Sequence, residues 1–479
     1  MERLHGVDAS FFYMETPNAH MHVMALAILE PASMADGSAF ERIRRMFETR
    51  LDRIPPFRRR IRMVPFALDH PVWEDDPDFD LAFHLHHVAL PPPATLGQLA
   101  TVIGDIASRP LDRSIPLWEA WVIEGLPQGR VALVTKVHHA TMDGVSGAAV
   151  LSQLLETSPD APDPVPRPWT PRPPVRDLEL LGRGLWSASS RIGIGDLPSA
   201  LRGAGTSLAS ATRFVLSRLW SGGPGPALPF QTPVLPFNRA ISPRRSVAFG
   251  RVSLDDVKHV RRAFGATVND VVLTACSLAL RDYLQERGEL PDIPLVAAVP
   301  VAVGGPGPRE TIGNRVSSMF VRLPVQLADP MAQLQAIRVD TGLAKSLHGA
   351  LGATAFMRLT QVAPPLLFAG AMQLYSSLHL ADRHRPAVNL VVSNIPGPPF
   401  PLYAAGARVE SIHPMGPILE GIGLNLSVLS NAGHVDLGAI ACRDTVPDVE
   451  RITTCFVEAV DRLVALTKSP VERTESRAH

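Results

Sequence analysis

The stretch Val131-Ala-Leu-Val-Thr-Lys-Val-His-His-Ala-Thr-Met-Asp-Gly-Val-Ser-Gly147 decides how the chain around it is organised. It begins as a β-branched, mostly apolar run and ends in two histidines, an aspartate and glycines. Side chains alternate along a strand, so His139 would share a face with Val137, Thr135 and Leu133, and His138 with Lys136 and Val134. Only one of the two imidazoles can then look into a given cavity. Asp143, four residues after His139, can fold back to that imidazole or to a nearby cation. Gly144 and Gly147 permit a sharp turn and close packing of the next element, Val145 to Glu156, which reads as an amphipathic helix. A base at a strand end, oriented by a carboxylate, suits general-base chemistry. The same residues also fit a pair of core histidines, a metal-binding pair, or an aspartate that caps a helix.

Further along, Thr267-Val-Asn-Asp-Val-Val-Leu-Thr-Ala-Cys-Ser-Leu-Ala-Leu-Arg281 reads as a long helix with an N-cap signature at Thr267 and Asp270. It is apolar nearly all round, hence buried. Asn269 falls in its first turn, beside the positive end of the helix dipole, where an amide can stabilise a developing oxyanion or simply cap the helix.

His138-His139-Ala-Thr-Met-Asp143-Gly144 resembles the HHxxxDG motif of CoA-dependent acyltransferases, a motif shared with the condensation domains of nonribosomal peptide synthetases. The surrounding sequence resembles the bacterial wax ester synthase/acyl-CoA:diacylglycerol acyltransferase family. Pro116-Leu-Trp-Glu119, Asn269-Asp270, Thr311 to Phe320, Val388 to Pro399 and Gly421 to Ser430 carry the likeness. At Asn431 the chain departs from the family, which usually has a tyrosine there. The resemblance spans about residues 4 to 467. It implies an α/β (α+β) fold of two chloramphenicol acetyltransferase-like domains with mixed sheets and an active-site tunnel between them. It further implies His139 as general base, Asp143 as the residue that orients the motif, and Asn269 as oxyanion donor. His138, Gly144, Asp270, Ser393 and Asn394 would support the site or bind substrate. No metal and no cofactor are implied; long-chain acyl-CoA is a substrate, and the acceptor is diacylglycerol or a fatty alcohol. The chain has four lysines among 46 basic residues. That arginine-rich composition resembles actinobacterial members and favours diacylglycerol. The alternatives are an amide-forming condensation domain and a non-catalytic lipid-binding or lipid-droplet protein of the same fold.

With 479 residues, 46% of them apolar, the chain suits more than one core. Balanced charge, 46 basic against 46 acidic residues, argues against nucleic acid as a partner. Three cysteines without metal-ligand spacing and an N-terminus without an apolar signal region point to a cytoplasmic protein. Eight prolines between Ser158 and Pro174 mark an extended connector. The expected division is therefore residues 1–157, a linker with basic apolar helices at 158–236, and residues 237–479. Between Leu180 and Trp220 five arginines face a single aspartate, Asp196. This segment can lie on an anionic surface, at the inner face of the plasma membrane or on a lipid droplet, or pack as plain interdomain helices. The basic run Arg58 to Arg62 is read as a solvated strand edge, with CoA or lipid phosphates as the other possibility. His84, His86 and His87 resemble a metal cluster without a second ligand group, and Trp118 is assigned to scaffold.

Overall fold

The computed structural model describes residues 2–4, 6–31, 38–141, 153–192, 225–302, 316–351 and 365–468. The described strands are, in chain order, β1 (Glu2–Arg3), β2 (His22–Leu29), β3 (Arg59–Arg62), β4 (Val72–Asp75), β5 (Leu85–Ala89), β6 (Trp118–Glu124), β7 (Val131–His138), β8 (Arg245–Ser253), β9 (Leu295–Ala302), β10 (Val316–Leu323), β11 (Leu390–Ile395), β12 (Tyr403–Ala404), β13 (Ala407–Met415), β14 (Leu424–Asn431) and β15 (His434–Cys442). The described α-helices are α1 (Gly6–Tyr13), α2 (Ala39–Arg50), α3 (Leu96–Ala107), α4 (Asp177–Ile192), α5 (Leu254–Phe264), α6 (Val268–Glu286), α7 (Pro330–Leu351), α8 (Pro365–Ser377) and α9 (Val449–Lys468).

Two mixed six-stranded sheets form the two domains, in the orders β12-β13-β2-β7-β6-β5 and β10-β9-β11-β14-β15-β8. A small antiparallel sheet, β1-β4-β3, lies beside the first. In the N-terminal sheet β7 is central, paired antiparallel with β2 and β6. Alternation along β7 sorts its side chains into two cores. Val131, Leu133 and Val137 join the cluster built on α2, Phe57 and Trp118. Ala132 and Val134 join the one built on α3 and Met24. Trp118 is scaffold, as its sequence context implies: its ring is stacked between Phe57 and His84, and Nε1 donates to Phe57 O at 2.9 Å.

The C-terminal sheet carries its main core on one face, beneath α5, α6, α7 and α9. α6 is buried from Asp270 to Leu280, as an all-round apolar helix must be. The division at residue 237 does not coincide with the sheets, because β12 and β13 lie in the N-terminal sheet, β13 pairing with β2 from Met415↔Met24 to Val409↔Leu29. Having crossed over, β13 packs its backbone on β15. Ile412 N–H donates to Asp436 Oδ2 at 2.9 Å, and a Cβ at Gly438 would stand 2.0 Å from Pro414 O, so only glycine allows that approach.

The proline-rich connector is extended and tied to the N-terminal domain. Arg50 holds Glu156 and Asp163, and Arg172 holds Asp75. Residues 193–220, with most of the arginines expected to meet a membrane, lie outside the described residues, as does most of the helix expected from Val145 to Glu156.

Candidate active site

β7 ends at His138, paired across the sheet with His22. His138 is 1% exposed. Ala140 N–H donates to its Nδ1 at 3.0 Å, which requires that nitrogen to be unprotonated and puts the proton of the neutral ring on Nε2. Nε2 faces Glu15 Oε1 at 3.3 Å, an ion-pair distance whose angle falls short of a hydrogen bond. Glu15 is itself paired with Arg113. Burial opposes ionisation of Glu15, yet the His138 imidazole and the Arg113 guanidinium hold its carboxyl below the usual range. His138 therefore has its tautomer set by the hydrogen bond at Nδ1, with the Glu15 carboxylate facing its other nitrogen.

His139 has already left the strand. It is half-buried, its ring lies flat on Phe11 at 3.9 Å between centroids, and its backbone N–H donates to Met21 O at 2.8 Å. α1 supplies both Phe11 and Phe12, the latter tilted against His138. The strand end thus separates the histidines as alternation predicts, one inward and locked, the other at the turn.

Beneath His138 the same face continues to Lys136, which is fully buried. Its ammonium donates to Arg109 O at 2.8 Å and lies 3.4 Å from Glu119 Oε2; burial lowers its pKa while Glu119 opposes the shift. His20 and His22 stack at 5.4 Å on the same flank. Burial pushes His20 down to about 4 and His22 well below its ordinary value, with Arg245 and Lys136 adding repulsion. No group of three potential metal ligands exists among the described residues. His84 meets Trp118 O, His86 lies tilted against Trp121 and His87 pairs with Glu124.

The other group of candidate residues lies where α6 begins. Thr267 and Asp270 form a capping box, with Thr267 N–H donating to Asp270 Oδ2 at 2.9 Å and Asp270 N–H to Thr267 Oγ1 at 3.1 Å. Thr341 donates to Asp270 Oδ1, so both carboxylate oxygens of this buried residue are engaged structurally. Asn269, between them in sequence, is half-buried and accepts at Oδ1 from Asn394 Nδ2 at 3.3 Å. That contact turns the NH₂ end of Asn269 away from Asn394, at the positive end of α6. Asn394 shares its face of β11 with Leu390 and Val392, which belong to the core under α6. Ser393 points to the opposite face with Ile395, which packs on the N-terminal core. The structure therefore brings Asn269 and Asn394 together and sends Ser393 elsewhere. Asp143 and Gly144 lie outside the described residues.

Three contributors went unnoticed in the sequence reading: Glu15, Arg113 and Phe11. Glu15 stands 123 positions before His138, and nothing in local spacing links them. The basic run has a plain explanation here. Arg59, Arg60 and Arg62 of β3 pair with Asp75, Glu74 and Asp76 on and just beyond the neighbouring β4, and Arg58 lies over the Phe79 and Trp169 rings. These arginines are matched by carboxylates or aromatic faces within the protein.

Two mixed sheets joined by a strand that crosses between them, with paired histidines at the end of a central strand, define the class. The starter condensation domain of rhizomide synthetase, solved in complex with C8-CoA, shares this fold with a TM-score of 0.56 over 99% of this chain and 97% of that one, at 13% identity. The chain belongs to the wax ester synthase/diacylglycerol acyltransferase family: residues 4–272 match the model of its catalytic domain and residues 312–464 that of its C-terminal domain. The wax ester synthase/diacylglycerol acyltransferase of Marinobacter aquaeolei VT8 superposes with a TM-score of 0.69 at 26% identity, covering 98% of this chain and all of that one. Two proteins of Mycobacterium tuberculosis H37Rv named as diacylglycerol O-acyltransferases are also similar. One is 39% identical over 468 residues (97% of this chain, 90% of that protein) and the other 33% over 452 residues (93% and 95%).

Proposed function

We propose that the protein transfers a long-chain acyl group from acyl-CoA to the free hydroxyl of diacylglycerol, giving triacylglycerol and CoA, and that His139 is the general base. A fatty alcohol in the acceptor position would give a wax ester by the same step. His139 takes the hydroxyl proton as the acceptor oxygen forms its bond to the thioester carbonyl carbon. The carbonyl oxygen becomes the oxyanion, toward which Asn269 offers its amide N–H groups at the positive end of α6. Collapse restores the carbonyl and breaks the carbon–sulfur bond, and the departing thiolate receives the proton from His139. The reaction is balanced without an acyl-enzyme. Asp143 keeps the orienting role assigned to it from the motif.

The observation that carries this reading is the contrast between the two histidines: His138 is buried inside the sheet, hydrogen-bonded at Nδ1 and facing Glu15 at Nε2, while His139 stands half-buried at the turn. The test is the purified full chain with palmitoyl-CoA and, in separate arms, a diacylglycerol, a fatty alcohol and a primary amine. Thiol release coupled to triacylglycerol is the expected result. Transfer to the amine alone would favour condensation chemistry, and no thiol release in any arm would favour a binding protein.

We also infer peripheral association with a lipid surface. Leu367, Leu374 and Leu378 form an exposed stripe along and just beyond α8, a helix without a charged residue, and Leu178 and Leu185 are exposed on α4. Among the described residues no single helix is long and apolar enough to cross a membrane. Flotation with anionic vesicles tests this, with Leu367, Leu374 and Leu378 changed together to Gln; equal flotation of the variant would remove the support.

A further inference from the structure

We propose that Met21 is a positioning residue for acyl transfer, acting through its backbone, and the proposal rests on the reading of His139 as base. Met21 has φ of 49°, in the left-handed region that a residue other than glycine, asparagine or aspartate adopts at a cost. Its carbonyl accepts the His139 backbone N–H at 2.8 Å. The β2–β7 register ends one residue earlier, at His22↔His138. The left-handed turn at Met21 therefore coincides with the point where the sheet stops and His139 leaves it, still tied by one hydrogen bond.

The conformation is enforced from both sides. The Met21 side chain is 1% exposed, anchored in the core with Ala19, Met24 and Leu26. Before it, Thr16 and Ala19 exchange backbone hydrogen bonds of 3.0 and 3.2 Å, and Thr16 Oγ1 accepts from Ala19 N–H. After it, β2 is held in the sheet. A residue so constrained cannot relax without moving its carbonyl, and moving the carbonyl moves the backbone that carries the proposed base. The Phe11 ring fixes the plane of the His139 imidazole, and Met21 fixes its height above the sheet end.

The test separates backbone conformation from side-chain volume. Leucine and isoleucine have similar volumes, but a β-branched residue is a severe outlier in the left-handed region. Met21→Leu is expected to keep kcat within about threefold, and Met21→Ile to lose roughly tenfold or more, with KM for palmitoyl-CoA changed less than about threefold in both, since a shift of the base acts on the chemical step. A second pair guards against misfolding of the isoleucine variant. Met21→Ala and Met21→Gly open the same cavity, yet glycine takes a positive φ freely, so Met21→Gly should turn over several-fold faster than Met21→Ala. Equal kcat for the isoleucine and leucine variants, or, where isoleucine prevents folding, equal kcat for the alanine and glycine variants, would overturn the proposal. His139→Ala in the same assay tells the two failures apart: an active His139→Ala removes the base and this proposal together, whereas an inactive one with indifferent Met21 variants removes only the latter.

Discussion

Where β7 ends, the buried His138 and Lys136 and the half-buried Glu15 are ionisable groups, each set against a partner of opposite or switchable charge, with Arg113 closing over Glu15. Where α6 begins, the polar groups turned toward one another are the amides of Asn269 and Asn394, and the adjacent carboxylate, Asp270, is taken up by the helix cap. The two regions suit the different tasks proposed for them. A group that accepts a proton must keep its place while its charge changes, and only a rigid, charge-stabilised neighbourhood below it resists that disturbance. A group that steadies an oxyanion needs an oriented dipole, and a helix N-terminus supplies one.

That contrast can be broken at several points. His139→Ala carries the largest expected loss, about 10²–10⁴-fold in kcat, the usual worth of a positioned general base. Asn269→Ala should follow with roughly 10²–10³-fold in kcat and little change in KM for palmitoyl-CoA. Equal losses of activity and melting temperature there would return Asn269 to a capping role. Glu15→Gln is expected to lower kcat roughly 10- to 100-fold, the scale of an interaction with a charged partner, by loosening His138 beneath the base. Because the folded pKa of Glu15 is depressed, its contribution to stability is present above the ordinary glutamate value and lost as pH falls through the lowered one. The difference in melting temperature between wild type and Glu15→Gln should therefore narrow on acidification, and a constant difference would argue against the ion pair.

The smallest effect is expected at the seam where β13 meets β15. Burial raises Asp436 to about 6, against the Ile412 N–H and Arg251, which favour its charge. A carboxyl whose folded pKa lies above its unfolded value loses stability as pH rises from about 4 to 6, with the full penalty above that. Asp436→Asn should raise stability by roughly 1–3 kcal/mol at pH 7.5, an advantage that disappears near pH 4. Chemical denaturation at the two pH values measures it, and an asparagine variant less stable at pH 7.5 would contradict the sign.

Local signals carried the parts of this site that sequence could reach. The alternation from Leu133 to His138 and the capping residues Thr267 and Asp270 are short-range patterns, and β7 and α6 formed where those patterns placed them. Glu15 and Phe11 reach the strand end only through tertiary packing, because α1 and its following turn fold back over a strand more than a hundred residues away, and Arg113 joins them from the loop before β6. Pairing of β13 with β2 is equally non-local, which is why a chain division at residue 237 does not describe the sheets. The opposite faces of Ser393 and Asn394 were implicit in strand alternation once β11 was recognised. The charge run at Arg59 to Arg62 could be matched to Glu74, Asp75 and Asp76 only with the β3–β4 pairing in hand.

The central claim is that His139, and not its neighbour, takes the proton. Its most direct test is thiol release from palmitoyl-CoA with a diacylglycerol acceptor, measured side by side on His138→Ala and His139→Ala, with melting temperatures of both. The account predicts that His139→Ala loses at least about 10²-fold in kcat with a near-normal melting temperature, whereas His138→Ala, which strips a buried partner from Glu15, loses stability first and activity less. An inactive His138→Ala beside a His139→Ala that keeps most of its turnover would contradict it.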